Sequence, residues 1–126
     1  MNGILGLYEV ALPVRDLARA ADFHRALLGF EVVHADDQRR WLFLRLGDAA
    51  MLVLQQEDAP RRLHLALRVA EDQLGGWRRR IANHGIAVEG PIELPWIPAR
   101  SLYFSDPDGH ELELIALDGR HREHGR

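Results

Sequence analysis

The chain has 126 residues, 47% of them hydrophobic and 28% charged, with a formal net charge of −3 and no cysteine. That length suits one domain burying roughly two thirds of the surface its unfolded chain exposes, and the mild charge offers no basic footprint for nucleic acid. The absence of cysteine excludes disulfides and thiolate ligands, and because all 16 basic residues are arginine, lysine Schiff-base chemistry is excluded too.

In chain order, Glu9 to Val14 alternates as a strand, with Tyr8, Val10, Leu12 and Val14 on one face and Glu9, Ala11 and Pro13 on the other. Asp16 is placed to N-cap a helix from Leu17 to Leu28, whose buried stripe is Leu17, Ala20, Ala21, Leu27 and Leu28. Gly29 ends it. His24 is read as a helix-surface residue. Strands follow at Phe30 to His34, Trp41 to Leu46 and Met51 to Gln56. The polar run Glu57 to Arg62 breaks the pattern and joins two halves. The second half repeats the order: a strand at Leu63 to Val69, a helix at Glu71 to Asn83, and strands near Ile86 to Val88, Arg100 to Ser105 and Glu111 to Leu117. Asp106-Pro107-Asp108-Gly109 forms the last turn, and His110 is read as capping it.

The halves are copies. Glu9 to Val14 aligns with His64 to Val69 at an offset of 55, and Arg40 to Leu44 aligns with Arg100 to Phe104 at an offset of 60. At that second offset Leu52-Val53-Leu54 falls on Leu112-Glu113-Leu114. A repeated unit governs the whole fold. Here it is strand–helix–strand–strand–strand, an α+β fold of two βαβββ modules, residues 4–57 and 63–117 within one 4–117 domain, followed by a polar, mobile tail over 118–126. Each sheet has one face without a helix. Leaving Phe43, Tyr103, Ile115 and Val53 bare on those faces is unfavourable, so the sheets are expected to curve around a cavity of mixed polar and apolar character.

These segments resemble the vicinal oxygen chelate superfamily, the glyoxalase, bleomycin-resistance and extradiol-dioxygenase-like proteins. The resemblance spans Leu5 to Leu117. It is carried by Val10-Ala11-Leu12-Pro13-Val14-Arg15-Asp16-Leu17, by Phe23-His24-Arg25-Ala26-Leu27-Leu28-Gly29-Phe30, and by Ser101-Leu102-Tyr103-Phe104-Ser105-Asp106-Pro107-Asp108-Gly109-His110-Glu111-Leu112-Glu113-Leu114. The resemblance implies a divalent metal held by the first and last strands of each module. In this sequence those positions are Glu9, Val53, His64 and Glu113. It also implies homodimers in which modules of two chains complete each cavity, either exchanged or side by side. Two positions depart from the family pattern. Glu9 stands where three-ligand members usually have histidine, and Val53 cannot coordinate, which disfavours glyoxalase I itself.

The expected metal ligands are therefore His64, Glu113 and Glu9, with Glu9 alternatively serving as a general base. One imidazole with two carboxylates is a hard, anionic set that leans towards Mn, Mg or Fe; Ni and Zn complete the candidates. Tyr103 is a candidate proton donor, Arg100 a clamp for an anionic group, and Trp96 (in the Pro91 to Ala99 loop) and Phe43 are candidate cavity walls. Each residue also has a plainer role: Glu9 as a solvated carboxylate, His64 as a hydrogen-bonded histidine, Glu113 as the ion-pair partner of Arg45, Arg68 or Arg100, Trp96 and Tyr103 as packing. Glu111 is expected in solvent. The expected function is a metal-dependent isomerase, lyase or dioxygenase acting on a small oxygenated or thiol-conjugated metabolite. The alternative is a metal-free protein that binds a drug or other hydrophobic cation. A non-catalytic module is a third class that no feature supports. Location is expected to be cytoplasmic, with no nucleic-acid or membrane partner, because no apolar run nears 18 residues and no leader pattern opens the chain.

Overall fold

In the computed structural model, residues 3–118 are described, so the expected mobile tail lies, from Gly119 onward, outside the described residues. The chain divides between Arg61 and Arg62 into two compact units, and each unit holds one copy of the repeat.

The first unit contains β1 (Glu9–Val14), α1 (Leu17–Ala26), β2 (Glu31–Asp36), β3 (Trp41–Leu46) and β4 (Ala50–Gln56). Its sheet has the order β1-β4-β3-β2. β1 runs parallel to β4 with Glu9 opposite Met51 and Ala11 opposite Val53, and the other pairings are antiparallel. The helix begins where expected, because the Asp16 carboxylate accepts the Arg19 N–H at 3.0 Å. The Gln56 side chain accepts the Leu17 N–H at 3.2 Å, tying the helix entry to the end of β4. Leu12, Val14, Leu44, Leu52 and Leu54 are fully buried. Each such leucine contributes about 1.5–3 kcal/mol relative to exposure.

The helix ends at Ala26 rather than Leu28; Gly29, at φ 74°, makes the left-handed turn that a side chain would resist. His24 corrects the surface reading. It is fully buried, stacked on Phe30 at 6.1 Å and edge-on to Phe23 at 5.2 Å. The signal was in the spacing, since position 24 follows Ala20 by four and precedes Leu27 by three, squarely on the buried stripe.

The second unit contains β5 (His64–Arg68), a 3₁₀ turn (Glu71–Gln73), α2 (Leu74–Asn83), β6 (Glu89–Leu94), β7 (Ala99–Ser105) and β8 (Glu111–Leu117). Its sheet order is β5-β8-β7-β6, the same topology as the first. Here β5 runs parallel to β8 with His64 opposite Glu111 and Ala66 opposite Glu113. The registers of the two units thus match the sequence offsets: Glu9 and Met51 correspond to His64 and Glu111, and Ala11 and Val53 to Ala66 and Glu113. Leu102, Leu112 and Leu114 form the core of the sheet's other face, and Leu74 and Ile81 are the buried residues of α2.

One strand differs from expectation. β6 spans Glu89–Leu94, not Ile86 to Val88, so Pro91 lies within it. It is an edge strand whose register breaks between Glu89 and Ile92, where proline's missing N–H is tolerated. No helix of the described residues is long and apolar enough to cross a membrane.

Candidate functional site

Strand alternation sorts the second sheet into two faces. Leu112, Leu114, Leu102 and Phe104 lie on the core face. On the other face lie His64 and Ala66 of β5, Glu111 and Glu113 of β8, and Ser101 and Tyr103 of β7, with Tyr103 directly opposite Glu113. Ala66 beside Glu113 presents only a methyl group, so the carboxylate can reach diagonally to His64.

Those groups form a connected network around Glu113. His64 Nε2 lies 2.9 Å from Glu113 Oε1. The other carboxylate oxygen, Oε2, accepts the Ser101 hydroxyl at 2.6 Å and the Tyr103 hydroxyl at 3.3 Å. On the far side of the ring, His64 Nδ1 lies 2.5 Å from Glu111 Oε1. The Glu113 side chain is only 9% exposed, whereas that of His64 is 48% exposed. An anionic carboxylate with a buried hydroxyl on one oxygen and an open-sided imidazole on the other is a chemically committed group, not the arginine partner of the plainer reading. Burial, and then the Glu113 charge, push the Tyr103 phenol above its usual 10.0, so it stays protonated as a hydrogen-bond donor.

A buried turn holds this network in place. Asp106 Oδ1 accepts the backbone N–H of Asp108 at 3.0 Å and of His110 at 2.8 Å. The fully buried His110 accepts the Leu63 N–H on Nδ1 at 2.9 Å, while the Leu63 carbonyl accepts the Glu111 N–H at 2.9 Å. His110 therefore does more than cap the turn. It ties β8 to the residue immediately before His64. Burial raises the Asp106 carboxyl above its ordinary value, partly offset by the His110 N–H it accepts.

The donor set can be tested for a metal on its own chemistry. Two carboxylates flank one imidazole, so each ring nitrogen faces an acceptor. One nitrogen can satisfy its acceptor with its own proton. A neutral ring leaves the second nitrogen's lone pair facing the second carboxylate, and that arrangement needs a cation between them, either a proton or a metal ion. His64 Nε2 and Glu113 Oε1 fit two donors of such an ion. Among the described residues, no group of three or more His, Cys, Asp or Glu side chains is arranged to hold one.

The sequence profile of the Glyoxalase/Bleomycin resistance protein/Dioxygenase superfamily matches residues 6–114. The chain belongs to that superfamily. Among solved structures, the integron cassette protein HFX_CASS4 from the mobile metagenome of the Halifax Harbour sewage outfall is 40% identical with a TM-score of 0.86, over 90% of this chain and 100% of that one. TnmS3, an antibiotic binding protein from Streptomyces sp. CB03234, is 27% identical with a TM-score of 0.76, over 94% of this chain and 100% of that one. The metallothiol transferase FosB of Staphylococcus saprophyticus is 22% identical over 117 residues, 88% of this chain and 76% of its own.

Within this superfamily member, the structure brings together His64, Glu113 and Tyr103 of the residues singled out in the sequence. Arg100 shares the core-side face of β7 with Leu102 and Phe104, so alternation turns it away from Tyr103 and Glu113. Trp96, 72% exposed, lies in the β6–β7 turn. That turn leads into Ala99, opposite Leu117, at the far end of the sheet from Glu111. It stands about 13 Å along β7 from Tyr103 at the usual strand rise. Glu9 and Phe43 belong to the first unit. Glu9 is exposed at the start of β1, and Phe43 lies opposite Val53 on β3, within 5.4 Å of His34 and 6.5 Å of Trp41 between ring centres. Sequence reasoning missed Ser101, whose shared parity with Glu113 across the ladder was the available signal. Glu111 is exposed as expected, and its contact with His64 Nδ1 is what the sequence did not reveal.

Proposed function

We propose that the protein is a divalent-metal-dependent enzyme acting on a small oxygenated or thiol-conjugated metabolite. The observation that carries this reading is the buried Glu113 carboxylate beside His64 Nε2 at 2.9 Å, two potential donor atoms side by side on one face of the sheet. His64 Nε2 and Glu113 Oε1 would hold the ion. A carboxylate-rich set favours Mn²⁺, Mg²⁺ or Fe²⁺ over Ni²⁺ or Zn²⁺. When bound, such an ion would supply Lewis acidity to a substrate oxygen. The protein's own residues do the rest. Ser101 and Tyr103 fix Glu113 through its second oxygen, each hydroxyl donating to Oε2. The name of FosB, a metallothiol transferase, makes transfer of a thiol to a small electrophile the first reaction to screen. We also propose a cytoplasmic homodimer, to be checked by light scattering.

Elemental analysis of untagged protein tests this reading, with His121→Gln and His124→Gln in the background so that the tail histidines cannot contribute. The expected result is about one Mn, Fe, Mg, Ni or Zn per chain, lost in His64→Ala and Glu113→Ala. If no candidate ion is retained after reconstitution, the enzyme reading is overturned. The second reading is then taken up, a metal-free binder of a drug or other hydrophobic cation; TnmS3 is by name an antibiotic binding protein. The observation favouring it is the aromatic group of His34, Phe43 and Trp41 on the first sheet.

A further inference from the structure

Glu111 has no place in the ligand set, yet it makes the shortest contact His64 has. We propose that Glu111 is the positioning residue of the site: its carboxylate holds the proton of the His64 ring on Nδ1, so that the Nε2 lone pair is the one presented beside Glu113. The consequence for metal binding rests on the proposed function; the local effect on the ring does not.

Three observations converge on Glu111. It lies directly opposite His64 in the parallel β5–β8 register. Its oxygen lies 2.5 Å from Nδ1, within hydrogen-bond reach of the ring. Its own N–H is bonded to the Leu63 carbonyl at 2.9 Å, and His110 holds the Leu63 N–H from the same turn. The backbone next to both side chains is therefore clamped, and the contact does not depend on two free side chains meeting by chance.

Stability does not explain such a contact. Glu111 is 58% exposed and His64 48% exposed, and ion pairs this open to water contribute little to folding. Orientation does explain it. A neutral imidazole has one proton and one lone pair, and the hydrogen bond made by one nitrogen decides which of the two the other presents. With Glu111 present, the proton sits on Nδ1 and the lone pair on Nε2. Without it, the ring's remaining carboxylate partner is Glu113, at Nε2. The proton would move there, and the lone pair would point away from Glu113. A carboxylate behind a ligating histidine is a general device for fixing tautomer and ring angle. The first unit lacks it, since the residue opposite Glu9 is Met51.

The test uses full-length protein with ¹⁵N-labelled histidine, metal-free, with pH raised until the His64 ring signals show a single ring proton. His64→Gln identifies the His64 ring signals, and thermal melts establish that every variant is folded. The expected result is a proton on Nδ1 in the wild type, its transfer to Nε2 in Glu111→Ala, and its retention on Nδ1 in Glu111→Gln, whose amide oxygen still accepts. An Nε2 proton in the wild type, or the same tautomer in wild type and Glu111→Ala, overturns the proposal. Mn²⁺ affinity, read by electron paramagnetic resonance, is the second arm. Glu111→Ala should bind about 10–100-fold more weakly than wild type, with Glu111→Gln between them. Equal affinities in wild type and Glu111→Ala also overturn it. A wild type that takes no Mn²⁺ but shows the tautomer switch sinks the metal reading and leaves the hold of Glu111 on the ring supported.

Discussion

The two sheets are built on one plan and carry opposite chemistry at equivalent points. In the second unit, Glu113 is met by His64, Ser101 and Tyr103. In the first, the corresponding positions are Val53, Glu9, Trp41 and Phe43. Val53 is fully buried, and Phe43 opposite it lacks the hydroxyl that Tyr103 supplies. A strand pair therefore supplies a position and a direction, while the neighbours across the ladder decide whether a carboxylate can live there. A buried carboxylate needs its partners built with it.

Transplanting the charge alone is the most severe way to break the comparison. Val53→Glu places a carboxylate at a fully buried site with no hydroxyl opposite, and should destabilise the protein by about 3–5 kcal/mol in thermal or urea unfolding. Adding Trp41→Ser and Phe43→Tyr should recover part of that loss. No recovery would show that the sheets differ by more than these side chains.

Next in size is Gly90→Ala. A methyl group there would lie 2.4 Å from the Ser101 backbone oxygen, at a φ of 110°, with backbone atoms that cannot swing aside. An expected loss of about 2–4 kcal/mol, seen in unfolding midpoints, follows from strain and overpacking. Ser101→Ala should then remove about 1.5–3 kcal/mol, as a buried bond to a charged acceptor. Tyr103→Phe, at a longer 3.3 Å, should remove only about 0.5–1 kcal/mol. Reversal of that last order would mean that Tyr103, not Ser101, holds Glu113.

The smallest effect is in pH. The Tyr103 phenol is raised above 10.0 in the folded protein, chiefly by burial and then by Glu113, so folding favours its neutral form. Its contribution is fully present below the unfolded value and is lost as pH rises through the folded one. The stability difference between wild type and Tyr103→Phe should therefore be flat through neutral pH and shrink above pH 10.0. Glu113→Gln should move the phenol's ultraviolet titration downward but leave it raised, since burial remains. A midpoint at or below 10.0 in the wild type would contradict this.

Local pattern and the repeat were enough to determine much of this protein. The βαβββ order of each unit, the first helix cap at Asp16, the faces of the strands and the correspondence of Glu9 with His64 all follow from periodicity. Periodicity survives any tertiary arrangement because side-chain direction is set by the backbone. The family resemblance, not periodicity, marked His64 and Glu113 as one site. Tertiary structure decided the rest. Parallel pairing of β5 with β8, across a sequence separation of 47 residues and closed by the Glu111 N–H on the Leu63 carbonyl and the Leu63 N–H on the buried His110 ring, chose which carboxylate meets which ring nitrogen. The fold carried Trp96 to the other end of the sheet and shifted β6 onto Pro91. Register between distant strands depends on contacts that no local pattern encodes. The proton on His64 is decided there as well.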